Sequence, residues 1–256
     1  MSDIEHLKSE FIRLNGYWSD ALGRTLALDP HFFAAYIAFA DLPRNAHSLD
    51  QKTRDIILIA ANSSVTHINE AALRGHMLSA LGNGATEQEI LEVLQIVSVL
   101  GIHAYMLGAP ILMQEIRASN LEGELITPES RAATEGVKDR FRKSRGFWSE
   151  LQNDMADAGP NFFETYRAYS SVPWEKGTLA PKLRELIYVA IDVSTTHLHA
   201  DGTRIHLRNA LRLGAHPQEV VEVIELVSTI GFQSWIVGTE VLRTVLQEKA
   251  GRSGQQ

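Results

Sequence analysis

Apolar residues recur at helical spacing along almost the whole chain. Ile90, Leu91, Leu94, Val97 and Val99 fall on or beside one face, with Glu87, Glu89 and Glu92 opposite. The pattern returns at Val220, Val221, Ile224, Val227 and Ile230. The helix boundaries are marked in the sequence. Thr86 is placed to cap a helix start, and Glu89 three residues on completes a capping box. Pro217 suits a first helical turn, and Gly84 and Gly214 suit helix C-terminal caps. Asp29-Pro30, Leu49-Asp50, Thr127-Pro128 and Ala180-Pro181 mark further starts. No window sustains period-two alternation with hairpin chemistry. The pattern predicts an all-α protein without a sheet.

The pattern also repeats, at a fixed offset of 130 and without a gap. Pro30-His-Phe-Phe-Ala-Ala-Tyr36 returns as Pro160-Asn-Phe-Phe-Glu-Thr-Tyr166, and Arg74-Gly-His76 as Arg204-Ile-His206. From Gly16 to Leu112, 32 of 97 pairs are identical, far above chance, so the chain is a tandem duplication. The unit is too long for a solenoid repeat and reads as a small helical domain of about five or six helices, fused to its own copy. The expected division is a first repeat over 1–117, a Ser-, Asn-, Gly- and Glu-rich linker over 118–126, and a second repeat over 127–256.

Composition narrows the function classes. The chain is 45% hydrophobic and 21% charged, which excludes a disordered or fibrous protein. A net charge of −7 leaves no basic footprint for nucleic acid. The absence of cysteine removes disulfides, thiolate metal sites, thiol peroxidase chemistry and cysteine nucleophiles together. Ten histidines remain as the side chains that titrate near neutrality. The N-terminus does not read as a secretory leader. Apolar runs such as Ile56 to Ala61 and Ile96 to Leu100 fall short of the roughly 20 residues of a membrane span. The expectation is a cytoplasmic protein with no membrane partner.

Polar groups concentrate in one stretch of each repeat, between two apolar helices. It reads Asn62-Ser-Ser-Val-Thr-His67-Ile-Asn69-Glu70-Ala-Ala-Leu-Arg74-Gly-His76. The copy reads Asp192-Val-Ser-Thr-Thr-His197-Leu-His199-Ala-Asp201-Gly-Thr-Arg204-Ile-His206. With Arg54-Asp55-Ile-Ile-Leu-Ile-Ala before it, His76 through Leu94 after it, and Ser98-Val-Leu-Gly-Ile-His-Ala, the chain resembles the carboxymuconolactone decarboxylase family. That family shares its all-helical fold with the alkylhydroperoxidase-D-like proteins. The resemblance places a histidine eight residues before the helix-ending glycine, matched by His76 and His206. Redox members carry two cysteines seven and four residues before it. Here those positions hold Asn69 and Ala72, and His199 and Gly202. The acidic residue after the arginine, Asp55 or Glu185, lies 21 residues before the histidine rather than about 19.

Cofactor-free decarboxylation needs a cation to hold the carboxylate, a polarised carbonyl to take the electron pair, and a general acid near neutrality. The candidates are His67, His76, His197, His206, Glu70 and Asp201 for proton transfer and tautomer control. Arg74 and Arg204 are candidates to hold the carboxylate, with His199, His103 and Trp235 to line the substrate pocket. Structural roles compete. The paired histidines suit capping or buried hydrogen bonds, the arginines salt bridges or a solvated face, and Glu70 and Asp201 plain surface. His103 and Trp235 suit packing. His197, His199, Asp201 and His206 also form a nitrogen–oxygen set that a metal could use, in the second repeat alone. The expectation is nonetheless an enzyme without metal or cofactor.

The resemblance implies a decarboxylase acting on a small carboxylated lactone or keto acid from aromatic breakdown. A lactone hydrolase or isomerase is the alternative within enzymes, and a non-catalytic ligand-binding or assembly protein the alternative outside them. It also implies a homotrimer of pseudo-sixfold arrangement, or another homo-oligomer, since single-repeat members commonly form hexameric rings. Long apolar helices such as Val93 to Leu112 fit buried interfaces.

Overall fold

The computed structural model describes residues 3–145, 148 and 150–253. Among them there is no strand. The first repeat forms α1 (Asp3–Asn15), α2 (Asp20–Leu28), α3 (Pro30–Asn45), α4 (Gln51–Ser63), α5 (Glu70–Gly82), α6 (Glu87–Ser98) and α7 (Ile102–Ala118). After the short α8 (Glu122–Leu125), the copy forms α9 (Pro128–Arg145), α10 (Glu150–Ala158), α11 (Pro160–Lys176), α12 (Pro181–Val193), α13 (Ala200–Arg212), α14 (Pro217–Ser228) and α15 (Phe232–Ser253). The chain is thus an all-α tandem duplication. Each repeat resolves more helices than the apolar spacing alone separates. One reason is that a 3-10 turn, Val99–Gly101 or Thr229–Gly231, divides the last apolar run in two.

The boundaries follow the expected chemistry. The Asp29 side chain accepts from the Phe32 N–H, and Asp50 from the Thr53 N–H. Thr86 and Glu89 each accept the other's backbone N–H, closing the capping box. In the copy His216 caps α14 with Glu219, and Pro217 opens it. Gly84 and Gly214 adopt φ of 85° and 86°, the left-handed conformation of a helix cap.

The compact units do not coincide with the repeats. One unit comprises residues 1–97 and 178–256, the other 98–177. In the first unit, α4 and α12 are apolar nearly all round, and Ile56 to Ala61 and Leu186 to Ile191 are buried. They pack together with α14, joining Leu49, Ile57 and Leu58 of one repeat to Leu186, Val189 and Val223 of the other. A second cluster seats Phe232 of α15 among Phe11, Leu22 and Phe33 of the first repeat's opening helices. The other unit has the reciprocal construction: Ile102 and Ala109 of α7 pack with Val137, Phe141, Met155 and Phe163 of the second repeat. In both units the last helix of one repeat therefore packs on the first helices of the other.

Two stretches, Glu87–Ala118 and Pro217–Ala250, are apolar and long enough to cross a membrane by length and composition. This exceeds the sequence expectation because the run from Ile96 to Met113 is interrupted only by uncharged residues, while Glu92 and Glu222 lie nearer the starts of the two stretches. Those glutamates, Glu92 and Glu222, are buried and ion-paired, as in core helices. The pairs cross between repeats. Arg54 Nε lies 2.6 Å from Glu222 Oε1, while Glu222 Oε2 accepts the Ser48 and Leu49 N–H groups. Arg184 donates to Glu92 Oε1 in the same way, and Glu92 Oε2 accepts from the Thr178 and Leu179 N–H groups.

Candidate functional site

The first repeat's polar stretch forms the end of α4, the loop 64–69 and the start of α5. His76, on α5, is 3% exposed. Its Nδ1 lies 3.1 Å from Oδ1 of Asp55, which is fully buried on α4. Asp55 Oδ2 accepts from Ser79 Oγ at 2.6 Å and Gln51 Nε2 at 3.1 Å, so the carboxylate is oriented from three sides. Nδ1 therefore carries the proton and Nε2 the lone pair when the ring is neutral. Burial lowers the pKa of His76, and Asp55 partly opposes that. The Tyr17 ring stands edge-on to the imidazole at 5.6 Å. It can do so because residue 75 is glycine: a Cβ there would lie 2.3 Å from the Tyr17 ring. His76, Tyr17, Tyr36, Asn15 and Gln233 border an enclosed cavity of about 10 Å³, room for roughly one water.

His67 lies in the loop, within a chain of amides. Gln233 Oε1 stands 2.7 Å from His67 Nε2 and accepts from Asn69 Nδ2 at 2.8 Å. Gln233 Nε2 donates to Asn62 Oδ1 at 2.6 Å, and Asn62 Nδ2 to the Leu58 carbonyl at 2.8 Å. Asn69 Oδ1 accepts from the Ala72 N–H, capping α5.

The second repeat keeps the histidine–carboxylate pair. His206 Nδ1 lies 2.6 Å from Glu185 Oε2, and Asn209 Nδ2 reaches Glu185 Oε1 at 3.3 Å. Tyr188 stacks on His206 at 4.4 Å, where Tyr17 meets His76 edge-on. The rest of the stretch differs. Asp192, fully buried, stands where Asn62 stands, with His197 Nε2 at 3.9 Å and His199 Nδ1 at 4.0 Å. Burial pushes the Asp192 carboxyl up to about 7, with the His206 charge opposing. Burial lowers the pKa of both His197 and His199. His199 Nδ1 accepts the Gly202 N–H at 3.1 Å, so this histidine caps α13. A Cβ on Gly202 would lie 2.3 Å from both Asp192 Oδ2 and His199 Nδ1. Asp192, Leu198, Thr203 and Arg204 border a groove of about 390 Å³.

The other sequence candidates are more scattered. Glu70 and Asp201 are exposed in the first turns of α5 and α13, and the carboxylates that contact His76 and His206 are Asp55 and Glu185. Reaching them needed the pairing of α4 with α5 and of α12 with α13. The signal available in the sequence was their placement 21 residues before each histidine. Arg74 is exposed, and so is Arg204, although Arg204 borders the groove. Trp235 packs on Phe32 at 4.9 Å in the aromatic cluster of α15. His103 is half-buried on α7, in the other compact unit. Gln233 stands 130 residues after His103, at the equivalent position of the second repeat. Its amide chain with His67, Asn69 and Asn62 emerges from the fold.

Two helical repeats, each setting a histidine against a buried carboxylate, define the class of protein. The chain belongs to the Carboxymuconolactone decarboxylase family, which matches residues 30–107 and again 160–237. Among solved structures it is similar to a crystal structure from Burkholderia xenovorans LB400, provisionally named a gamma-carboxymuconolactone decarboxylase subunit. The two share 35% identity over 96% of this chain and 98% of that one, with a TM-score of 0.88. No curated protein matches the chain.

Proposed function

We propose that the chain is a cofactor-independent decarboxylase acting on a small carboxylated lactone or keto acid. The observation that carries this reading is the histidine–carboxylate pair built twice, His76 on Asp55 and His206 on Glu185, in a chain without cysteine. In the proposed step the bond between the carboxylate and the adjacent carbon breaks and carbon dioxide leaves. The electron pair passes to a conjugated carbonyl oxygen. An imidazolium then protonates the resulting enolate at carbon, and water restores the proton. His67 and His197 are the second proton-transfer pair. Arg74 or Arg204 holds the carboxylate, and the groove beside Arg204 supports that assignment for the second repeat. His199 and Trp235 complete the substrate contacts in this reading.

One observation favours isomerase or hydrolase chemistry on a related lactone. Burial disfavours the His76 imidazolium, which suits a general base better than a general acid. Incubation with a carboxylated unsaturated lactone separates the readings, because decarboxylation alone releases carbon dioxide. The expected result is carbon dioxide release that falls sharply in a His76→Ala, His206→Ala double variant. Undiminished turnover in that variant overturns the assignment.

The proposed assembly is a cytoplasmic homotrimer. Leu107, Ile111 and Leu112 on α7 are exposed, as are Val237, Val241, Val245 and Leu246 on α15, and such faces suit burial between copies. The neighbour from B. xenovorans is also named a subunit. Light scattering at the mass of a monomer overturns the trimer.

A further inference from the structure

We propose that Gln233 is the positioning residue that completes the first repeat's site, holding His67 with its proton on Nε2 and its lone pair on Nδ1. The inference deepens the proposed function and rests on its reading of His67 as a proton-transfer group.

The polarity of donors and acceptors fixes how each amide is turned. An amide can be turned end for end, so a single side-chain contact leaves its oxygen and nitrogen undetermined. Here both ends of the chain are tied to backbone, whose polarity is fixed. The Leu58 carbonyl can only accept, so the Asn62 group facing it is the amino group and Oδ1 faces Gln233. The Gln233 group meeting Asn62 Oδ1 must then donate, which leaves Gln233 Oε1 facing His67 and Asn69. From the other end, the Ala72 N–H can only donate, so Asn69 Oδ1 faces it and Asn69 Nδ2 faces Gln233. The two ends agree. A carbonyl-type oxygen 2.7 Å from His67 Nε2 can only accept, so that nitrogen must bear hydrogen. The neutral ring is left with Nδ1 as its base.

The burial of these groups makes the arrangement hard to escape. Asn62 is fully buried and Gln233 is 9% exposed, so turning either amide would leave buried like groups facing each other. The origin of Gln233 matters as well. It comes from the first turn of α15, in the second repeat, whereas His67, Asn69 and Asn62 belong to the first. The first repeat therefore lacks the acceptor for its own histidine until the second repeat supplies it.

The decisive measurement is nitrogen-15 NMR of the His67 ring in the full-length protein, at a pH where the ring is neutral. The expected result is a single form with a slowly exchanging proton on Nε2 and an unprotonated Nδ1. Gln233→Leu is expected to release that proton to fast exchange while the His76 Nδ1 proton stays held by Asp55. A proton on Nδ1 in the wild type overturns the proposal, and this outcome needs no folded variant. Unchanged exchange at His67 in a folded Gln233→Leu protein overturns it too. The readout is independent of turnover, so it can hold even if no decarboxylation is found. Where carbon dioxide release is measurable, Gln233→Leu should lower kcat roughly 10- to 100-fold with little change in KM. An equal rise in KM with kcat intact places Gln233 in substrate contact and overturns its positioning role.

Discussion

The two polar stretches descend from one sequence, yet they are built from different chemistry. In the first repeat Asn62, Asn69 and Gln233 form a chain of neutral amides around His67. In the second, Asp192 and His199 replace Asn62 and Asn69 around His197, and all three ionise. The histidine–carboxylate pair beside them survives in both. Duplication has thus kept one element of the site and let its surroundings diverge from a fixed proton arrangement to a titratable one. Burial differs in parallel. The His76 side chain is 4% exposed and the His206 side chain 22%. Electrostatic interactions strengthen where water is excluded, so the first repeat is the better-insulated of the two.

The largest test of this contrast is a pair of separate variants. His76→Ala should reduce turnover about 10²- to 10⁴-fold, the usual range for a proton-transfer group. His206→Ala should cost less, because its ring is more open to water. Steady-state rates of carbon dioxide release measure both. Equal losses would break the ranking of the two sites, and a larger loss from His206→Ala would reverse it.

Next in size is a test of what the duplication holds in common. Glu222→Ala and Glu92→Ala each remove the carboxylate paired with a buried arginine and leave two backbone N–H groups unmet. Each should destabilise the fold by about 3–5 kcal/mol in denaturant unfolding. The environments are reciprocal, so the two costs should agree to within about 1 kcal/mol. A lopsided result would show that the repeats have diverged in their framework as well as in their sites.

How much of this was legible in sequence depends on range. Local signals were read directly. The Thr86–Glu89 box, Pro217 and the glycines at 84 and 214 act within a few residues and appear in the structure as expected. The duplication was plain from the fixed offset of 130. Contacts between distant helices were not legible. Asp55 and Glu185 meet their histidines only because α4 packs on α5 and α12 on α13. Glu70 and Asp201, nearer in sequence, point to water instead. The exchange of last helices between repeats was hidden for the same reason. Nothing in the periodicity of α15 says whose opening helices it will cover, and so nothing announced Gln233 beside His67.

The titratable character of the second stretch predicts a pH signature that the first should lack. Asp192 has a folded pKa of about 7 against an ordinary value of 3.8. Between about pH 4 and 7 the folded carboxyl holds a proton that the unfolded one has lost, so its contribution makes stability fall as pH rises through that window. Asp192→Asn installs the first repeat's residue and removes this slope. The variant should gain on the order of 1–4 kcal/mol at pH 8, and nothing near pH 4. Urea unfolding at the two pH values checks it. An equal gain at both would mean that packing, not proton binding, separates the two residues.

The smallest expected effect concerns residue 202, where the copies hold Ala72 and Gly202. Ordinarily Gly→Ala within a helix stabilises by up to about 1 kcal/mol. At Gly202 the new Cβ would stand 2.3 Å from both Asp192 Oδ2 and His199 Nδ1, so those groups must move. The strain should outweigh the helical gain and leave a net loss of about 1–2 kcal/mol. The first repeat carries the same helix with alanine at this position, so the intolerance belongs to the second stretch's own side chains. Combining Gly202→Ala with Asp192→Ala should therefore recover part of the loss, since truncation removes the contacts with Asp192 Oδ2 and Cγ and leaves the one with His199. Thermal unfolding of the single and double variants measures the recovery. If none appears, the clash with His199 alone sets the requirement for glycine, through the cap that His199 makes on α13.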